Sequence, residues 1–211
     1  MKALTLVLLS WCVAAGTLAA EDGPKTLVEK IVDISPDGKF GMRLKFDQEL
    51  NEKMIANESN SDPGNHGLHS HTIEGIDLVA VATGEVLAKL MPEDEFGTFF
   101  NGVSLLWSSD SMWFAYSYAH PRFSYTTVYR RDGEKFRLIA DTQKLLRKHK
   151  GDVRNEYLNP EKWIQPGVLQ LTQEAVLRGG EGDGYSSNFT VTFTRSGKFK
   201  VIATDDRKKD K

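Results

Sequence analysis

The amino-acid sequence predicts an all-β fold, mainly antiparallel, built from propeller-like blades with one short helix. Three observations carry this expectation. Short runs rich in Val, Ile, Thr and aromatic side chains recur along the chain, as in Tyr125 to Arg130 and Phe189 to Thr194. Turn-forming residues separate them at Pro36-Asp37-Gly38, Thr83-Gly84, Asp132-Gly133 and Ser196-Gly197. Helix signals are few. Strand runs punctuated in this way are the pattern of antiparallel hairpins.

Residues 1–20, MKALTLVLLSWCVAAGTLAA, predict a cleaved secretory signal peptide. Lys2 precedes an apolar run from Leu4 to Ala15 that is too short for a permanent anchor, and Thr17, Ala19 and Ala20 supply the small residues a signal peptidase needs. A lipoprotein signal ending at Cys12 is the weaker alternative, because bulky Trp11 stands where a small residue is wanted. Cys12 is the only cysteine, so the exported chain has no disulfide and relies on its core. The remainder is expected to form one domain, 21–204, with a charged C-terminal tail, 205–211. The chain carries 27 Lys and Arg against 29 Asp and Glu. Loss of Lys2 leaves 26 against 29, a net charge of −3, which argues against a nucleic-acid partner. No second apolar stretch is long enough for a stable membrane span.

Along the exported chain, KIVDI and FGMRLKF flank the turn at Pro36-Asp37-Gly38, where Pro presets φ and Gly accepts a positive one. Gln48 to His71 reads as a long polar loop. Ile76 to Leu90 reads as two strands joined at Thr83-Gly84, followed by strands at Ser104 to Trp107 and Met112 to Tyr118. Hairpins centre on Asp132-Gly133 and Ser196-Gly197. The helix is placed at DTQKLLRKHK, with Asp141 as cap, Leu145 and Leu146 inward and Gly151 as stop. Its Lys144, Arg147, Lys148, His149 and Lys150 complement the helix dipole.

The chain also echoes itself. TTVYRRDGEKFRLI from Thr126 and TVTFTRSGKFKVI from Thr190 share one hairpin pattern, and ISPDGKFGMRL from Ile34 parallels WSSDSMWFAYSY from Trp107. Ser35-Pro36-Asp37-Gly38-Lys39-Phe40 and Trp107-Ser108-Ser109-Asp110-Ser111-Met112-Trp113-Phe114-Ala115 resemble the W-S-P-D-G-K signature of TolB-type β-propeller repeats. The resemblance covers about half of the exported chain and implies four-stranded blades, used in that family as protein-binding surfaces in the bacterial envelope. The two signatures lie 73 residues apart, wider than the spacing of about 40–45 residues typical of blades. The strands group into about three meanders, 27–91, 103–140 and 165–203, where a closed propeller takes about four or more. An open stack, a ring completed by a homo-oligomer and a β-sandwich all remain compatible.

Short catalytic patterns are missing: there is no G-x-S-x-G, H-E-x-x-H or phosphate-binding loop, and no thiol remains after export. The one cluster with catalytic types is GNHGLHSHTIEG, residues 64–75, holding His66, His69 and His71. On a strand His69 and His71 would share a face, and with His66, Glu74 or Asp77 they would make a zinc site. The glycines around them favour a solvated loop. Gly179-Gly180-Glu181-Gly182-Asp183-Gly184 has the Asp one position early for a calcium repeat and reads as a flexible loop. The sequons at Asn57 and Asn188 matter only in a eukaryote. Along Met112 to Tyr118 both faces are expected to pack, with Trp113 exposed as the alternative: a platform for sugar or for a partner. Arg122 and Tyr125, flanking the turn after His120, are the further partner-binding candidates.

Together these readings predict a secreted or periplasmic, non-catalytic binding module for a protein partner, with no cofactor. The alternatives are a zinc protein or metallohydrolase using His66, His69 and His71, and a carbohydrate-binding module using aromatics near Trp113.

Overall fold

The computed structural model describes residues 25–57, 66–90, 101–148, 151–178 and 184–208. Residues 1–20, read above as a signal peptide, most of the Gly179–Gly184 stretch, His149 and Lys150 lie outside these residues. The described chain is all-β, with strands in 62% of it, and is organised as three four-stranded antiparallel meanders. The first comprises β1 (Leu27–Val32), β2 (Phe40–Asp47), β3 (Ile73–Ala80) and β4 (Val86–Lys89), paired in sequence order as a separate sheet. The second comprises β5 (Gly102–Trp107), β6 (Trp113–His120), β7 (Phe123–Asp132) and β8 (Lys135–Ala140). The third comprises β9 (Val153–Gln165), β10 (Val168–Leu177), β11 (Gly184–Phe193) and β12 (Phe199–Lys208).

The second and third meanders fuse into one curled, eight-stranded half-barrel. The fusion occurs because β7 is longer than β8. Its C-terminal half pairs with β8 from Val128 to Asp132, and its N-terminal end meets β9 in parallel at Phe123 and Glu156. Side chains extend this short junction. Ser124 Oγ accepts the Leu158 N–H at 2.6 Å, and Thr126 Oγ1 donates to the Leu158 carbonyl at 2.5 Å.

Packing follows from the alternation of each strand. On β6, Phe114, Tyr116 and Tyr118 face the first meander, where Phe40, Met42, Leu44, Ile73, Ile76 and Leu78 complete one core. Trp113 and Ala115 face the other way, joining Leu158, Leu169, Leu171, Phe189, Val191 and Phe193 in a second core. The middle meander is thus buried on both faces, as expected for stacked blades.

The expected third meander began at residue 165; it starts at Val153. Strand β9 reads as polar and carries Pro160, which a regular ladder does not tolerate. Pro160 sits beside a register shift, where Gln170 pairs with Lys162 and Leu171 with Pro160. The tail expected from residue 205 is still β12 up to Lys208. Two helical expectations also change. The stretch from Gln48 opens with a helix, α1 (Gln48–Asn57), not a loop; Asp47 Oδ1 accepts the Leu50 N–H at 3.1 Å, and Lys53 pairs with Glu49 at 2.7 Å. The second helix, α2 (Thr142–Leu145), is capped by Asp141 and buries Leu145 as predicted, but it stops after one turn. Gln173 ends it: its side-chain amide accepts the Arg147 N–H at 2.9 Å and donates to the Arg147 carbonyl at 2.8 Å.

Candidate functional site

All three meanders run the same way, which gives the molecule two unlike ends. At one end lie the turns 33–39, 81–85, 108–112, 133–134, 166–167 and 194–198, none longer than seven residues. At the opposite end the longer connections, β2 to β3, β4 to β5 and β8 to β9, leave and rejoin their strands, beside the β6–β7 turn at 121–122. Rigid scaffolds commonly carry their recognition residues on such loops.

The turn end is knitted together by the two signature segments, which adopt one geometry. In each, the Ser hydroxyl donates to the Asp two residues on (Ser35 to Asp37 at 2.7 Å, Ser108 to Asp110 at 2.6 Å). Each Ser Oγ also accepts the N–H five residues on (Phe40 and Trp113, both 3.0 Å), and each Asp accepts an N–H from the strand start (Lys39, Met112). The third turn position takes a positive φ, +72° at Gly38 and +57° at Ser111. The two turns touch: the Asp37 N–H donates to Ser111 Oγ at 3.0 Å, and Arg131 lies 3.5 Å from Asp37. Burial opposes the Asp37 charge, but the Ser35 hydroxyl, the Lys39 N–H and the cations of Lys39 and Arg131 hold its pKa below the usual value.

The predicted histidine cluster divides. Strand β3 begins only at Ile73, so His69 and His71 do not share a strand face. They flank and enter a 3₁₀ turn, Ser70–Thr72, in which His69 Nδ1 accepts the His71 N–H at 3.3 Å and the two rings stack at 5.2 Å. The His69 N–H donates to Asn51 Oδ1 of α1 at 2.8 Å. The two candidate carboxylates are engaged by cations, Glu74 by Lys25 at 2.6 Å and Asp77 by Arg43 at 2.8 Å. Among the described residues no group of three His, Cys, Asp or Glu is placed to hold a metal ion.

His66 does something different. Its Nε2 lies 3.2 Å from the Val103 carbonyl and 3.5 Å from Asp33 Oδ2, and Asp33 Oδ2 in turn accepts the Leu105 N–H at 2.7 Å. Val103 and Leu105 belong to β5, which lies at the end of its sheet. The two side chains therefore take backbone groups on the open edge of β5, as a paired strand would. Both residues adopt positive φ, 47° at Asp33 and 56° at His66, the strained conformation this clasp requires. The hydrogen bond to Asp33 raises the His66 pKa above its ordinary 6.5, against the effect of burial.

The aromatic candidates separate as well. Trp113 is 5% exposed, its ring enclosed by Trp163, Phe193 and Arg130 at the turn end, so it is a core residue and no platform. Arg122 and Tyr125 sit on the β6–β7 hairpin at the loop end, remote from Trp113 along the same two strands. Arg122 is exposed, whereas Tyr125 packs in part against the first core. The turn itself is held firmly: His120 Nδ1 accepts the Arg122 N–H at 3.1 Å, and Tyr157 donates to the Pro121 carbonyl at 2.7 Å.

A polar network absent from the sequence reading joins the α2 connection to the third meander. Arg147 donates to Ser187 Oγ at 2.6 Å and to Asp206, Ser187 donates to Asp206, and buried Gln173 adds a bond to Glu156 at 2.8 Å. Ser187 thus spends its hydroxyl on a carboxylate while receiving a guanidinium, an arrangement that locks a loop. Compared with known proteins, the chain matches no protein-family profile and no curated relative.

Proposed function

We propose that the protein is an exported, non-catalytic binding module of the bacterial envelope that presents its loop end to a protein partner. The observation that carries this reading is the segregation of strand ends: those joined by tight, mutually bonded turns lie at one end, and those joined by longer connections lie at the other. Export rests on residues 1–20, and the envelope setting on the resemblance of the two turn segments to TolB-type repeats. Arg122 is exposed on a turn whose backbone is fixed from both sides, so engaging it requires little ordering of the main chain.

Affinity capture from the native envelope, with mass spectrometry of the retained proteins, tests the reading. A specific protein retained by the wild type is expected to be lost with Arg122→Glu and kept with Glu134→Lys, which alters the turn end. Retention of nothing above background, or loss with Glu134→Lys alone, would contradict it.

A further inference from the structure

We propose that a second copy of this chain pairs edge to edge with β12, antiparallel about a two-fold axis, continuing the half-barrel sheet across both copies. The inference does not depend on the loop-end reading. It begins with how the other sheet edges are managed. Strand β4 has four residues, β1 and β8 have six each, and β5 is clasped by Asp33 and His66. Strand β12 runs for ten residues and, among the described residues, pairs with β11 alone. A long open edge is a template for a further strand.

The order of side chains on β12 specifies which strand. Residues 201–206 are all exposed, and the first two, Val201 and Ile202, are 38% and 55% exposed. The register with β11 shifts by one here: Val191 faces Val201, but Thr190 faces Ala203, so Ile202 is the extra residue of a bulge. Side-chain alternation is thereby reset. Lys200, Ala203 and Asp205 share one face of the sheet, and Val201, Thr204 and Asp206 share the other.

Centre an antiparallel pair between Ile202 and Ala203, and every residue flanking this central pair meets one from its own face. Lys200 then stands opposite the partner's Asp205, Val201 opposite the partner's Thr204, and the two-fold axis repeats both pairs. Two ion pairs flank an apolar centre. A slip by one residue would set opposite faces against each other. A slip by two would move Lys200 off Asp205, in one direction onto Ala203, and lose the ion pairs. The bulge and Lys200 discourage indiscriminate pairing, while the self-complementary order admits one register of one partner.

Sedimentation velocity of the purified protein, with light scattering, tests the proposal. A dimer is expected, and Lys200→Asp and Asp205→Lys are each expected to raise its Kd by about tenfold or more. Combining the two reversals restores dimerisation, because each copy then offers the same pair with signs exchanged. Both positions are exposed, so an unchanged circular dichroism spectrum, recorded at a concentration where wild type and variants are all monomeric, serves as the folding control. A monomer at every concentration up to about 100 μM would overturn the proposal. So would a dimer indifferent to both reversals, or a double reversal that fails to restore what the single ones lose.

Discussion

Side chains stand in for ladder hydrogen bonds wherever strands of this molecule diverge. Asp33 and His66 do so for β5, Ser124 and Thr126 for β9, and Thr142, whose Oγ1 accepts the Thr126 N–H at 2.6 Å, for β7. Such groups are costly to delete, because a buried backbone partner is left unsatisfied. Ser108 is fully buried, so Ser108→Ala, which orphans the Trp113 N–H, is expected to lower unfolding free energy by about 1–3 kcal/mol in urea titrations. The Tyr116 hydroxyl is the converse case: it is buried and finds no hydrogen-bond partner among the described residues. Tyr116→Phe removes that unmet demand and is expected to raise the melting temperature. For His66 the sign is set by its raised pKa. The stabilisation is complete below its ordinary 6.5 and is lost as pH rises through the higher folded value. His66→Gln, which keeps a donor but cannot charge, should flatten this loss in melting curves recorded from acid to alkaline pH. None of these pairings was legible in the sequence, since Asp33 and Leu105 stand 72 positions apart and a polar residue in a loop looks the same whether or not it clasps a strand.

Among elements, the strands that alternate cleanly were legible and those built on exceptions were not. Strands β2 and β6 and the second half of β11, from Phe189, read directly from their apolar rhythm, and both signature segments fall where their turn chemistry places them. Strand β9 escaped because Pro160 and its polar neighbours mimic a loop, although a bulge absorbs the proline. Helix α1 escaped because it buries little beyond Asn51; its usable signal was Asp47 ahead of Gln48-Glu49-Leu50, a cap followed by helix formers. For α2 the cap was legible and the length was not, because its end is set by Gln173 on a distant strand. Gln173→Leu is therefore expected to destabilise the protein by about 1–3 kcal/mol and to increase hydrogen exchange at Arg147, both following from loss of the amide clamp.

For the whole molecule, the decisive feature is that the middle meander is shared by two cores. Phe114, fully buried, belongs to the first core, and Ala115 beside it belongs to the second. Phe114→Ala is expected to cost about 3–5 kcal/mol, a large part of the stability of a domain this size, and amides of β6 should be among the slowest to exchange. Three meanders were legible because each is local; their fusion through β7 and β9 was not, because it rests on one parallel bridge and two hydroxyls. Of the residues singled out in the sequence, burial separates those that can meet a partner from those that cannot. Arg122 remains on an accessible turn, whereas Trp113 is in the core and the histidines serve a clasp and a 3₁₀ turn. The shared orientation of the meanders sets tight turns at one end, and the function proposed above places recognition at the other. Site-specific photo-crosslinking in the native envelope tests that division directly, with the probe placed in turn at Ile55, Arg122, Glu85 and Glu134. Adducts to one protein from positions 55 or 122, and none from 85 or 134, are the predicted result; adducts confined to 85 or 134 would contradict it.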